Sequence, residues 1–437
     1  MTTAEHATSG RSPLRRRGFA LLWTGGLIND FGDWTLLIAL PVFVFQLTGS
    51  ALTTSTVFVV ELVPGLLAGQ LAGVVVDRWD RRRILVVSGF VQAVLLLPLL
   101  AVTADRLWIV YAVAAIQSCL ARLCSPAKAA LIPSVVERDD LAAANSLNAV
   151  ADNLARLVGS PLGGLVLQLV GLAGVVILDA ITYVASSFLI SGVRPIDGAA
   201  PAATPDAAPP SAPGAAPETS PATGRSGIGR LAADWLDGVR TIGREPRLRA
   251  VVLIGALSQL SQGIFVVLFV VFVLDRLHGT PGDVGLIRGV QAIGGIAGGI
   301  LVGAIARRSS ARGLIGWGFV LFGLLSLTTW NLPALTTAIG FYLGLFVAVG
   351  VPGVATMTGL MTSVQSLTPP THLGRVFATF EAAAGALAAV GVLAAGALAD
   401  RFGVVAILDA QAMLYVACGI LALVALRPRT VAVVEPA

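Results

Sequence analysis

Two acidic residues and a neighbouring amide lie inside the first long apolar segment of the chain. Asp30 and Asp33 are three residues apart, so they share one face of a helix, and Asn29 precedes them. Counted from Gly18, Asp30 is about 18 Å along that helix, near the midplane of a bilayer. An ionised carboxylate is costly there and a protonated one is not, which indicates a proton carrier. A structural salt bridge with Arg122, or a capping role at a helix break, is the alternative.

Other ionisable residues also lie inside apolar segments, where each needs a reason because a charge in lipid is expensive. Glu61 is in the second segment, Arg122 in the fourth and Glu381 in the eleventh. We interpret them as further candidates for proton coupling or for the wall of a substrate cavity. Neutral side chains expected to form hydrogen bonds in that cavity are Gln259, Gln262, Thr356 and Thr358.

Five more charged residues in apolar segments favour structural interpretations. Lys128 is near a segment end, where its long side chain can reach the membrane surface. Asp152 and Arg156 are four residues apart and are expected to neutralise each other. Asp179 and Asp409 occupy equivalent positions in the two halves of the chain, which favours structural contacts for both.

The composition of the chain excludes a soluble enzyme. Of its 437 residues, 56% are hydrophobic and 12% are charged, and the mean hydropathy is +0.86. An ordinary soluble domain has about 25% charged residues. The one lysine, Lys128, does not follow the glycine-rich loop of an ATPase, and the three cysteines have no metal-binding spacing. We therefore expect no enzymatic activity, no cofactor, no metal site and no nucleic-acid partner.

Long apolar blocks with few charges predict an all-α membrane protein with twelve transmembrane helices. Of the 25 basic residues in loops or at the very ends of these helices, 22 lie on one side, so the positive-inside rule predicts that both termini are cytoplasmic. The predicted helices span residues 18–46, 51–76, 84–104, 107–133, 145–169, 171–193, 248–275, 283–306, 313–330, 334–366, 375–399 and 403–426.

The composition changes abruptly in the middle of the chain. Residues 196–227 are rich in proline and alanine and poor in large apolar residues, which indicates a cytoplasmic linker without a packed core. Residues 228–247 have apolar side chains on one side of a helix, a pattern typical of a helix at the membrane surface. The remaining domains are predicted to be six-helix bundles, at 1–195 and 248–437.

The two halves of the chain align at one constant offset of about 230 residues, as membrane transporters built from internal repeats do. Such repeats predict a binding site between the halves and alternating access to it. The matching segments are 46–50 with 276–280, 73–78 with 303–308, and 177–180 with 407–410.

Short motifs lie at the ends of several predicted helices. A Gly-x-x-x-Asp-Arg-x-x-Arg-Arg pattern spans the end of the second helix and the loop after it, with Asp80 at one of its variable positions. Its glycine allows helices to approach closely, and its aspartate can accept hydrogen bonds that latch one conformation. A simple positive-inside anchor is the alternative. The gate residues predicted here are Gly73, Asp77, Arg78, Arg81 and Arg82, together with Arg375 at the start of the eleventh helix.

The fifth helix carries closely spaced glycines, Gly159, Gly163 and Gly164, with Pro161 among them. With the loop pattern, the Gly32-Asp33 pair and residues 47–50 and 125–127, these glycines resemble motifs of the major facilitator superfamily. The resemblance is to its drug- and siderophore-exporting branch, which includes macrolide efflux proteins and an enterobactin exporter. It covers nearly the whole chain outside the linker. It implies that Asp33 is the usual acid of the branch, that Arg122 is tied to proton coupling, and that the glycines form an antiporter-like motif.

These observations predict a monomeric secondary active transporter in the cell membrane. It would export a drug-like or siderophore-like amphipathic compound by proton antiport through alternating access. Sodium coupling stays open. The alternatives are a proton-coupled uptake symporter for a small metabolite, which the exporter motifs disfavour, and a non-transporting membrane scaffold, which the intramembrane acids disfavour.

Overall fold

The computed structural model describes residues 13–194, 227–306 and 309–427. Within these ranges, the side chains of residues 66, 69–78, 138, 227–235, 306 and 370 are not described. The described residues are mainly α-helical and contain no β-strand. The helices are α1 (Arg17–Thr48), α2 (Ala51–Arg78), α3 (Arg81–Leu96), α4 (Trp108–Leu131), α5 (Leu141–Val170), α6 (Leu172–Ser191), α7 (Gly227–Arg244), α8 (Pro246–Val271), α9 (Pro281–Ala306), α10 (Ala311–Asn331), α11 (Ile339–Leu367), α12 (Leu373–Phe402) and α13 (Val404–Ala425).

The all-α membrane fold predicted from the sequence is confirmed. Eleven helices of the described part of the chain are long and apolar enough to cross a membrane, and α2, apolar over Ala51–Gly65, takes the twelfth place. The 32 residues of α1 extend about 48 Å, more than the roughly 30 Å of a bilayer core. This helix ends at Gly49, whose φ of 63° suits glycine and directs its N–H to the carbonyl of Phe45.

The helices form two bundles with the same packing pattern. In the N-terminal half, α1 packs on α5, α2 on α4, and α3 on α6. In the C-terminal half, the equivalent pairs are α8 with α12, α9 with α11, and α10 with α13. The halves join through α2 with α12 and through α5 with α9, which are equivalent pairs as well. This pseudo-two-fold arrangement agrees with the repeat seen in the sequence.

The apolar core shows at which end the halves are closed. We call the end of the molecule at which α1 begins the proximal end, and the end at which α1 finishes the distal end. At the distal end, one cluster of buried residues runs through both halves, from Val44 and Leu172 to Phe272 and Leu408. At the proximal end, the buried residues form two separate clusters, one in each half. The described core is therefore continuous across the halves distally and divided proximally.

Helix α7 lies against the start of α12. An ideal Cβ on Gly238 would lie 2.7 Å from the carbonyl oxygen of Arg375, and Ile242 is buried in the proximal cluster of the C-terminal half. Asp237 accepts a hydrogen bond from Arg375 at 2.6 Å. Leu236 remains 47% exposed, so a location at the membrane surface stays a prediction for this helix. The predicted linker lies outside the described residues except for residue 227, which begins α7.

Candidate functional site

Asp30 forms an ion pair inside the N-terminal half. The Nζ atom of Lys128 lies 2.9 Å from its Oδ2 atom, and the two side chains are 27% and 24% exposed. The partner of Asp30 is therefore Lys128 rather than Arg122, and the lysine reaches into the bundle instead of toward the membrane surface. Gly26 leaves room for it, since an ideal Cβ there would lie 2.9 Å from Nζ.

Asp33 is held by two neutral donors. The Nδ2 atom of Asn29 donates to its Oδ2 at 2.9 Å, and the hydroxyl of Tyr183 donates to its Oδ1 at 2.5 Å. A carboxylate accepts both bonds, whereas a protonated carboxyl has to donate with one oxygen. Loss or gain of a proton at Asp33 therefore changes the charge of the group that accepts these bonds from α1 and α6, and with it their strength.

Asp179 of α6 lies beside Gly32 of α1, next to the acid pair Asp30 and Asp33, and is fully buried. Its Oδ1 accepts a hydrogen bond from Thr182 at 3.2 Å, and its Oδ2 has no partner among the described residues. Gly32 makes the close approach possible, because an ideal Cβ there would lie 2.3 Å from Oδ1. The sequence predicts a structural contact for Asp179, and the structure places that residue beside the acid pair. The four-residue spacing of Asp179 and Tyr183 shows in the sequence that they share a face of α6, but only the packing of α6 on α1 brings that face to the acids.

Two cavities of the N-terminal half meet at these acids. The first, which we call the proximal cavity, has a volume of about 350 Å³, and its polar lining includes Asp152 and Gln92. The second, the apolar cavity, has about 450 Å³ and is lined mainly by apolar side chains and by Glu61. Asp30 and Asp33 line both, so the acid pair lies at their junction.

A third cavity of about 500 Å³ lies between the halves, and we call it the interface cavity. Glu61 and Arg122 line it from the N-terminal half and Gln262 from the C-terminal half. Gln262 accepts a hydrogen bond from Tyr415 at 3.3 Å. Because Glu61 also lines the apolar cavity, it connects the acid pair with the space between the halves.

Three other predicted cavity residues lie apart from these linings. Thr356 donates to the carbonyl of Gly353 at 2.8 Å and packs against Gly318, which places it between α10 and α11. Gln259 is half-buried on α8, and Glu381 is exposed on α12.

The predicted gate is described in part. The side chains of Gly73, Asp77 and Arg78 lie outside the described set, so the latch stays a prediction.

Arg81 donates to the carbonyl of Ala130 at 3.1 Å, which ties the start of α3 to the end of α4. Arg82 follows it on the first turn of α3 and is half-buried. Asp80 caps α3 by accepting from the N–H of Arg83 at 2.7 Å. Arg375 belongs to the contact with α7.

The glycine motif packs α5 between two other helices. Ideal Cβ atoms would lie 2.7 Å from the carbonyl oxygen of Phe31 at Gly159, and 2.4 Å from that of Thr35 at Gly163. At Gly164 the nearest atom belongs to α9, the carbonyl oxygen of Pro281 at 2.1 Å. Pro161 lies in the same interface, against Gly285 and Gly289 of α9. The motif therefore sets the approach of α5 to the acid-bearing α1 and to the C-terminal half.

The predicted ion pair between Arg156 and Asp152 is not among the ion pairs of the described residues, so that prediction is wrong. Its guanidinium group donates to Oε1 of Gln291 on α9 and lies 5.3 Å from the ring centre of Trp34. Helix packing turns Arg156 toward the C-terminal half, while Asp152 lines the two cavities of its own half.

The comparisons with known proteins agree with the fold. The family described as Transmembrane secretion effector matches residues 8–202, and the family described as Major Facilitator Superfamily matches residues 251–436. Among solved structures, a bacterial homologue of the iron transporter ferroportin has a TM-score of 0.68 at 18% identity, over 94% of this chain and 99% of that one. The nucleoside transporter NupG has a TM-score of 0.71 at 12% identity, over 94% and 99%.

Curated relatives include efflux proteins. The multidrug efflux pump Tap of Mycolicibacterium fortuitum is 27% identical over 90% of each chain. Macrolide efflux protein A of Streptococcus pyogenes is 22% identical over 88% of this chain and 90% of its own. The uncharacterized transporter YfiS of Bacillus subtilis is 26% identical, and the match spans only 42% of that protein. With two matching halves, twelve apolar helices and full-length relatives, the chain belongs to the major facilitator superfamily and is a multi-pass membrane transporter, not an enzyme.

Proposed function

We propose that this transporter exports a drug-like or siderophore-like amphipathic compound from the cell in exchange for protons. The observation that carries the proposal is the position of Asp30 and Asp33, at the junction of two cavities inside the membrane-spanning bundle. Acids at that depth need a function, and reversible protonation supplies one. The efflux proteins among the full-length relatives support export over uptake.

The proposed location is the plasma membrane, with both termini in the cytoplasm and a single chain as the working unit. The arginine-rich loops support this orientation. The proximal end then faces the cytoplasm. Since the described core is divided at that end, the structure corresponds to the state that accepts a compound from inside the cell.

The contacts at the acid pair suggest how protonation is coupled to alternating access. In the proximal-open state, Asp30 forms an ion pair with Lys128, and Asp33 accepts hydrogen bonds from Asn29 and Tyr183. In the proposed cycle the empty carrier returns to the cytoplasmic side with Asp33 protonated, and the carboxyl of Asp33 releases that proton to the cytoplasm before the compound binds. After release outside, reprotonation removes the charge of Asp33 and weakens its hydrogen bonds from Asn29 and Tyr183, which favours the return of the empty carrier.

Susceptibility measurements in an efflux-deficient bacterial host test export directly. The probes are fusidate, chloramphenicol and erythromycin, which are acidic, neutral and basic. We expect the inhibitory concentration of at least one probe to rise several-fold with the parent protein and to return to the host value with a proton uncoupler. No rise for any probe would contradict the export proposal.

The acid pair is tested in proteoliposomes with the exported probe. The double variant Asp30→Asn with Asp33→Asn should lose uphill transport driven by a pH gradient and keep downhill equilibration, because the path stays open. Asp105→Asn, in an exposed loop, is the matched control. Full pH-driven transport in the double variant would show that Asp30 and Asp33 do not carry the proton and would leave Glu61 or Glu381 as the coupling residue. Transport driven by a sodium gradient at constant pH would show that sodium, and not the proton, is the coupling ion.

A further inference from the structure

Two arginines from opposite halves of the protein converge near the middle of the membrane. Arg156 of α5 and Arg288 of α9 both donate hydrogen bonds to Oε1 of Gln291, the latter at 3.0 Å. Each lies over an aromatic ring, Arg156 over Trp34 at 5.3 Å and Arg288 over Phe265 at 4.9 Å. At 1.5 Å per residue, Arg156 is about 20 Å from either end of its helix.

These two positive charges have no acidic partner in the described part of the chain. Neither arginine takes part in the ion pairs there, whereas Lys128, another cation within the helices of this half, is paired with Asp30. The Nε atom of Arg156 is also buried without a hydrogen-bond partner. Two guanidinium groups that share one neutral acceptor repel each other, and an apolar setting strengthens that repulsion. The arrangement is stabilised when an anion takes a place between them.

The surroundings of the pair connect it with the transport route. Trp34, the ring under Arg156, lines the apolar cavity. On the other side, Phe265, whose ring lies under Arg288, belongs to α8, the helix whose Gln262 lines the interface cavity. Flat aromatic faces beside two planar donors fit an amphipathic compound that has a rigid apolar body and an acidic group.

We propose that Arg156 and Arg288 form an anion-binding subsite and that the transported compound carries a carboxylate. This inference rests on the proposed transport function, because it names the chemical class of the substrate. Arginine suits the role, since its guanidinium group stays charged at every physiological pH and presents paired donors to a carboxylate. In the sequence, Arg156 had been assigned to Asp152, so this site was not expected.

Ligand binding to the purified full-length protein in detergent tests the subsite without any need for transport. The probes are two matched pairs: fusidate with its methyl ester, and naphthalene-1-acetate with naphthalene-1-acetamide. Dissociation constants follow from the rise in the unfolding temperature with ligand concentration, monitored by circular dichroism. We expect at least one acid to bind at least tenfold more tightly than its neutral partner, as a charge-assisted hydrogen bond implies.

The variants Arg156→Gln and Arg288→Gln should each weaken binding of that acid by about 10- to 100-fold and leave the neutral partner nearly unchanged. Arg106→Gln, in an exposed loop, should keep the parental preference. If either glutamine variant does not fold, Arg288→Lys retains the charge without the paired donors and should lose most of the preference.

Equal affinity for acid and neutral partner in the parent would overturn the proposal, as would a preference that survives in both glutamine variants. Stabilisation by sodium chloride alone, with no further effect of the acids, would show a small-ion site and overturn it as well. Failure of proton-driven export, by contrast, would leave the binding preference unchanged, so the two proposals fail separately.

Discussion

The distal closure of the two halves requires the absence of a side chain at residue 164. An ideal Cβ on Gly164 of α5 would lie 2.1 Å from the carbonyl oxygen of Pro281, 2.8 Å from its carbonyl carbon and 3.1 Å from the Cα of Gly282. All three atoms are backbone atoms at the start of α9, so no side chain can move aside. The variant Gly164→Ala must therefore push α5 and α9 apart.

The size of the effect follows from that overlap. Non-bonded heavy atoms sit about 3.5 Å apart at optimal separation, so the helices must separate by roughly 1 Å. Overpacking of this kind costs about 1–3 kcal/mol. Because this contact joins the two halves at the distal end, distal opening should relieve the overlap, and the cost should fall on the distally closed state. The equilibrium should shift by roughly 5- to 150-fold toward distal opening.

Spin labels at Leu169 and Leu335 can report this shift. Both residues lie at the distal end, in different halves, and are 72% and 86% exposed. In a background without the three native cysteines, we expect Gly164→Ala to add a longer component to the distance distribution measured by pulsed electron paramagnetic resonance. The control Gly299→Ala has open space around its new Cβ and should leave the distribution unchanged. Identical distributions for the parent and Gly164→Ala would refute the reasoning.

Three further predictions concern topology, pH and the buried acid. A cysteine at Ser211 of the linker should resist an impermeant thiol reagent in intact cells while one at Thr48 reacts, and the reverse pattern would invert the topology. The hydrogen bond from Arg375 lowers the pKa of Asp237 below its usual value. The ionised carboxylate should therefore hold α7 against α12 at every pH above about 4, and this contact should weaken only as the pH falls through the lowered pKa. The hydrogen-exchange rates of the α7 backbone amides report this docking, and Asp237→Asn should raise those rates at pH 7. Parental rates in the variant would show that the hydrogen bond between Asp237 and Arg375 does not hold α7 in place. Asp179→Asn should keep or raise the unfolding temperature, by the equivalent of up to about 2 kcal/mol, because the amide cannot carry the negative charge that a carboxylate would place in this fully buried site, which has no basic partner among the described ion pairs; a fall of several degrees would show that folding requires the acid.

The fold was largely predictable because its signals are local. A run of about 20 apolar residues has to be helical in lipid wherever it lies in the fold, since every backbone polar group must be satisfied within the segment. The repeat at an offset of about 230 residues likewise anticipated the equivalent packing of α1 with α5 and of α8 with α12. Helix α7 was also visible in the sequence, but its contact with Arg375 was not.

The sequence by itself determined that Asp30 and Asp33 share a face, because the helical period fixes neighbours three residues apart. Only the tertiary structure decided what that face meets: Lys128 and not Arg122, and Tyr183 from a helix 150 residues away in sequence. The turn of each helix about its own axis depends on how closely its neighbours approach, and here glycines such as Gly32 set that approach. Pairing between distant helices is therefore a property of the packed bundle, which the spacing of residues along one helix does not contain.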